Sequence, residues 1–252
     1  MFGFFKPKPL LCQESTDWVK LCYKLFLDSV GNEHFDRIKM ILPQEEYFPD
    51  PYDGSYENVR KLLDRICEYM HINHEEITLK LYREEIEDIE ASLKNVLPSW
   101  EGNKSNAVGF YIENGKGENA VISINQRTLH NPVSLIATIS HELCHYILLK
   151  RWKLGKDIED MEAMTDLLTI FLGMGIFTAN SALQFNQWTD WRKQGWSIES
   201  QGYLTQEGIG YAIAEWAYLK NDKNPKWIRY LCPDVKSYCK SSLRYLKSLE
   251  NT

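Results

Sequence analysis

A chain of 252 residues is long enough for one large core, or for a core with a smaller appendage. Hydrophobic residues make up 44% and charged residues 25%, the usage of an ordinary soluble globular protein. The formal net charge of −6 argues against a nucleic-acid partner, which would favour a basic face, and no apolar run approaches the length of a membrane span.

The first residues, Met1 to Pro9, show no continuous apolar stretch and no small-residue cleavage site, so they read as a mature cytosolic N-terminus. Six cysteines (12, 22, 67, 144, 232 and 239) are scattered without a CxxC pair, as reduced thiols in a cytoplasmic protein would be. Residues 11–42 read as helix, with Trp18, Leu21, Cys22, Leu25 and Phe26 on one side. His34 is expected at the surface or boundary. Pro43, Pro49, Pro51 and Gly54 then break any regular element, so 42–54 is expected to be a connector, or else a loop walling a cleft. A second helix runs from Ser55, its cap, to about Met70, with Val59, Leu62, Leu63, Ile66 and Met70 as its buried stripe. His71 and His74 follow it, with no cysteine or carboxylate completing a metal set.

Ile77–Tyr82 alternates apolar and polar residues and reads as a half-buried strand. The acidic run Glu84 to Glu90 is a solvated face, or a docking surface for a basic partner. Two more strands are expected at 107–112 and 120–125, joined as a hairpin through Asn114-Gly-Lys-Gly. His130 is expected to be an exposed loop residue.

The run that begins at Asn131 reads as a buried helix. Asn131 suits the cap and Pro132 the first helical position, where a missing N–H does no harm. Leu135, Ile139, Leu143 and Ile147 recur every four residues as one apolar stripe. His141 and His145 share that spacing on another face, so both imidazoles can reach one point in space. His141-Glu142-Leu143-Cys144-His145 is thus an HExxH arrangement, a two-imidazole pincer for zinc with a glutamate aimed at the open side. Cys144 is expected to be a packed small residue, because a cysteine ligand would close the position that catalysis needs open.

A charged turn at Lys150 to Asp160 leads to a helix from Met161 to about Phe177, with Gly173 and Gly175 permitting close packing. Glu162 and Asp166 fall one turn apart on this otherwise apolar helix. Carboxylates are costly there unless they are paired or bind a metal. Residues 183–203 are rich in Trp and Gly, a loop-bearing aromatic core or a substrate pocket. A buried helix capped by Thr205 follows, and a last amphipathic helix from Pro233 carries Val235, Cys239, Leu243 and Leu246 inward. Its Lys236, Lys240, Arg244 and Lys247 form an ordinary solvated face, or a basic docking face. There is no internal repeat.

HExxH followed on the next helix by ExxxD resembles the gluzincin superfamily of zinc metallopeptidases, to which thermolysin belongs. The likeness covers roughly residues 121–177. It implies His141, His145 and Glu162 as ligands of one zinc ion, Glu142 as general base, and Asp166 as the acceptor that orients the first histidine. It implies an α+β, zincin-like fold, mostly helical, with a small β-sheet beside the HExxH helix whose edge strand aligns an extended peptide. The expected layout is a helical region over 1–75, the metal-binding core over 76–180 and a second helical region over 181–252, all in one compact unit.

The expected activity is hydrolysis of a peptide or protein substrate by metal-activated water, with Glu142 moving the proton. The oxyanion needs a further donor. No histidine follows His145, so the donor departs from the thermolysin pattern; Tyr203 and Tyr211 are the candidates, with Arg192 third. Two other readings stay open: a zinc-binding regulatory or interaction module that does not hydrolyse, and a structural protein whose motif is accidental.

Overall fold

The computed structural model describes residues 8–83, 109–113, 118–155, 158, 160–186 and 204–250. In chain order its main elements are α1 (Gln13–Val30), α2 (Asn32–Arg37), α3 (Tyr56–Tyr69), β1 (Ile77–Tyr82), β2 (Gly109–Ile112), β3 (Ala120–Asn125), α4 (Pro132–His145), α5 (Met161–Thr169), α6 (Gly175–Asn186), α7 (Gln206–Leu219) and α8 (Pro233–Leu249). It is therefore mostly helical with one small mixed sheet, an α+β arrangement. The acidic run 84–90, the hairpin turn 114–117 and the aromatic stretch 187–203 lie outside the described residues. The chain forms two compact units that do not follow chain order: Pro43–Met161 is one, and Met1–Leu42 with Glu162–Thr252 is the other.

The 43–161 unit is built on three strands in the order β1-β3-β2. β1 pairs parallel to β3 from Ile77↔Ala120 to Tyr82↔Asn125. β2 pairs antiparallel, from Gly109↔Ile124 to Ile112↔Val121, so the expected hairpin pairing is present. β3 is central and buried along its whole length. Alternation puts Ile77, Leu79, Ile122 and Ile124 on one sheet face, and all four are 3% exposed or less. α3 begins as its sequence predicts: Ser55 Oγ accepts from the Asn58 amide at 3.4 Å, and Val59, Leu63, Ile66 and Cys67 are fully buried. Arg60 holds the helix to β1 by donating to the Ile77 carbonyl at 2.6 Å. α4 also starts where expected. Asn131 accepts from the Ser134 amide at 3.2 Å, Pro132 opens the helix, and Leu135, Ile139 and Leu143 are fully buried. The helix then widens over Tyr146–Arg151, where the Tyr146 hydroxyl donates to Glu76 and Arg151 donates to the His71 carbonyl at 3.0 Å.

In the other unit the N-terminal helix differs from expectation in two ways. It is broken rather than continuous to residue 42: Gly31, at φ 83°, ends α1 and starts α2, and helix stops at Arg37. Its buried face is Thr16, Val19, Cys22, Tyr23 and Phe26, while Leu21 is 66% exposed and Leu25 36%. The rotation is set by aromatic packing. Tyr23 and Phe26 each meet the Phe171 ring at 5.4 Å, and the Tyr23 hydroxyl donates to the Ala212 carbonyl at 2.9 Å. Burying two aromatic rings outweighs burying two leucines. Thr205 caps α7 as expected, accepting from the Gly208 amide at 3.1 Å. Val235, Cys239, Leu243 and Leu246 form the buried side of α8.

The helix that begins at Met161 also breaks. Gly173 sits at φ 89°, and the Ile41 amide donates to its carbonyl at 2.9 Å. A Cβ at this position would lie 2.2 Å from the Lys39 carbonyl oxygen. Only glycine satisfies both the backbone angle and the approach of the N-terminal segment. Two helical stretches, Pro132–Arg151 and Met161–Ser181, are long and apolar enough to cross a membrane by length and composition. That corrects the reading that no run reaches such a length. Their most apolar windows are 72% and 89% buried inside the protein, as core helices are.

Gly173→Ala should cost at least about 2 kcal/mol, from the left-handed backbone angle and the backbone clash together. Urea denaturation measures it; a midpoint matching the parent protein would show that the kink does not need glycine.

Candidate metal centre

The core stripe of α4 fixes what its other rows present. With Leu135, Ile139 and Leu143 buried, His141 and His145 project together one turn apart, each half-buried. Their ring centroids are 4.9 Å apart and the rings are tilted by 78°. Glu142 lies on the neighbouring row with Thr138 and Tyr146, and is 7% exposed. Cys144 is fully buried among the apolar side chains, as expected.

Glu162 is the second residue of α5. His141, His145 and Glu162 each offer one ligand atom, and these atoms lie within 4.8 Å of one another. A tetrahedral ion about 2.1 Å from each donor would set the donors roughly 3.4 Å apart, so the three converge on the right scale. Two imidazole nitrogens and one carboxylate oxygen also suit zinc chemically. The group could therefore hold a metal ion. Asp166, one turn beyond Glu162, is 9% exposed, and its Oδ2 accepts from the Leu204 amide at 3.3 Å.

Two neighbours of Glu142 escaped the reading of the sequence. Gly109, the first residue of β2, lies directly against it: a Cβ there would be 3.1 Å from Glu142 Oε1. A glycine at the head of an apolar strand is the available signal, since it marks close backbone approach. Tyr82, the last residue of β1, has its phenol pushed well above the ordinary range. Burial is the main cause, a hydrogen bond with Asn125 opposes it, and the Glu142 charge adds to it.

The proposed oxyanion donors fare differently. Tyr203 and Arg192 lie outside the described residues. Tyr211 is fully buried, and its hydroxyl donates to Glu215 Oε2 at 3.1 Å, the placement of a core tyrosine. Burial, then the Glu215 charge, pushes its phenol up. Glu215 is itself 6% exposed, and burial raises its carboxyl above the ordinary value against the opposing Tyr211 bond and Lys20 charge. His74 Nδ1 lies 3.5 Å from Asp64 Oδ1, and the His71 carbonyl accepts from Arg151; His130 is exposed. No family model, curated protein or solved structure matches the chain.

Purified protein should hold one zinc ion per chain by plasma mass spectrometry, and His141→Ala, His145→Ala and Glu162→Gln should each lower the content sharply. A His145→Ala variant with full zinc would remove the site. For Glu215, the fold binds the proton more tightly than the unfolded chain does. Its contribution is therefore present at low pH and lost as pH rises above the unfolded carboxyl value. Glu215→Gln should raise the melting temperature at pH 7, with the gain shrinking below about pH 4. A variant less stable than the parent at pH 7 would show that the ionised carboxylate is preferred.

Proposed function

We propose that this chain is a zinc-dependent metallopeptidase of the gluzincin type, hydrolysing peptide bonds in a peptide or protein substrate. The observation that carries the reading is the convergence of His141, His145 and Glu162, with Glu142 between the two histidines in sequence. His141, His145 and Glu162 would hold the ion. A zinc ion bound there supplies Lewis acidity, which makes water acidic near neutral pH and polarises a substrate carbonyl.

Glu142 then has a defined task. Its carboxylate takes a proton from the attacking water and returns it to the departing amine nitrogen. Its burial supports that task, because a carboxylate screened from bulk solvent acts on nearby charge at low dielectric. β2 is one of the two edge strands of the sheet among the described residues, and it is the one whose Gly109 lies beside Glu142. An extended substrate added to that edge would bring its main chain past the general base. Of the two candidate oxyanion donors, Tyr211 already gives its hydroxyl to Glu215, and Tyr203 lies outside the described residues. The six cysteines are thiols, in keeping with a peptidase of the reducing cytoplasm.

Glu142→Gln should keep zinc and lose cleavage by about 100-fold or more, read as metal content alongside turnover of a peptide mixture analysed by mass spectrometry. Turnover equal to the parent's would end the general-base assignment. A zinc-loaded parent that cleaves no protein or peptide would leave the non-hydrolytic zinc module in its place.

A further inference from the structure

The strand that flanks Glu142 bears a glycine where the sheet would favour a side chain. Gly109 and Tyr111 alternate onto the same sheet face. Thr138 and Glu142 on α4, with Tyr146 just past its end, form one row at four-residue spacing. The Tyr111 and Tyr146 rings are 6.5 Å apart, and the Gly109 end of β2 meets Thr138 and Glu142. Strand and helix row therefore run side by side.

Gly109 is not among the residues with positive φ, so backbone freedom does not explain it. Room does. A Cβ would stand 2.6 Å from Thr138 Cγ2, 3.1 Å from Glu142 Oε1 and 3.2 Å from Glu142 Cγ. Threonine has only two favoured χ1 rotamers in a helix, so its methyl has few places to go. Glu142 is long and flexible, so it is the group that would be pushed aside.

We propose that Gly109 is a positioning residue for Glu142: its missing side chain lets β2 lie on the helix row and leaves the carboxylate its place between strand and helix. The functional meaning of this placement rests on the hydrolytic reading. A general base works only within hydrogen-bond reach of its proton, and a displacement of about 1 Å costs on the order of 100-fold in rate. The demand at this position is for absence of volume, so alanine is already too large.

The test compares the zinc-reconstituted parent protein with Gly109→Ala and with Gly109→Ala/Thr138→Ser, which removes the methyl that meets the new Cβ. Zinc content, melting temperature, crystal structures and turnover of a peptide mixture are measured for all three. Both variants should hold zinc as the parent does, with the Glu142 carboxylate shifted by a few tenths of an ångström and turnover down several-fold. The double variant should regain the melting temperature lost by the single one, but not the turnover. If the double variant recovers turnover and keeps Glu142 in its parental place, Gly109 serves only Thr138 packing and the proposal is overturned. If the parent cleaves nothing, the hydrolytic reading falls, and the position of Glu142 in the crystals decides for or against Gly109 alone.

Discussion

One helix has to satisfy two opposing demands. α4 buries Leu135, Ile139 and Leu143 completely, yet within the same turns it carries His141, Glu142 and His145. An α-helix can do this because its rows at four-residue spacing are independent: the row that enters the core fixes the rotation, and the rotation fixes what the next rows present. The polar groups remain acceptable because they converge. The two imidazoles meet Glu162, and Asp166 takes the Leu204 amide.

The sheet is subordinate to that helix. Its central strand is buried on both faces, and Ile122 and Ile124 sit on the face shared with Gly109. Glycine at the head of β2 lets backbone, not side chain, press against Glu142. At this one point main chain, not a rotating side chain, borders Glu142.

Much of this was legible in the sequence, for local reasons. Asn131 and Pro132 mark the start of α4, Ser55 and Thr205 mark two other starts, and four-residue spacing aligns both the stripe and the histidine pair. The convergence of Glu162 was expected from a resemblance and is matched by distance. What was missed depends on partners remote in sequence. α1 is rotated because Tyr23 and Phe26 find Phe171, which no periodicity within 11–42 can reveal. The break at Gly31 required knowing that its φ is positive, and many glycines are not so placed. Strand direction is likewise absent from period-two alternation, so the parallel pairing of β1 with β3 could not be read. Tyr211 has the composition of a catalytic donor and the surroundings of a core residue, and only its bond to Glu215 distinguishes them.

The division of the chain bears on how it is made. Residues 43–161 are continuous, so once they leave the ribosome every partner in that unit is present and collapse can proceed. Residues 1–42 emerge first, but the segment they clasp through Gly173 is not translated until the whole central unit has been synthesised. The aromatic side of α1 must wait through that interval with its rings unsheltered, and the loop to be closed is long. Order of synthesis and order of assembly are thus opposed at the N-terminus, which makes the first helix the part of this protein with most to gain from a chaperone.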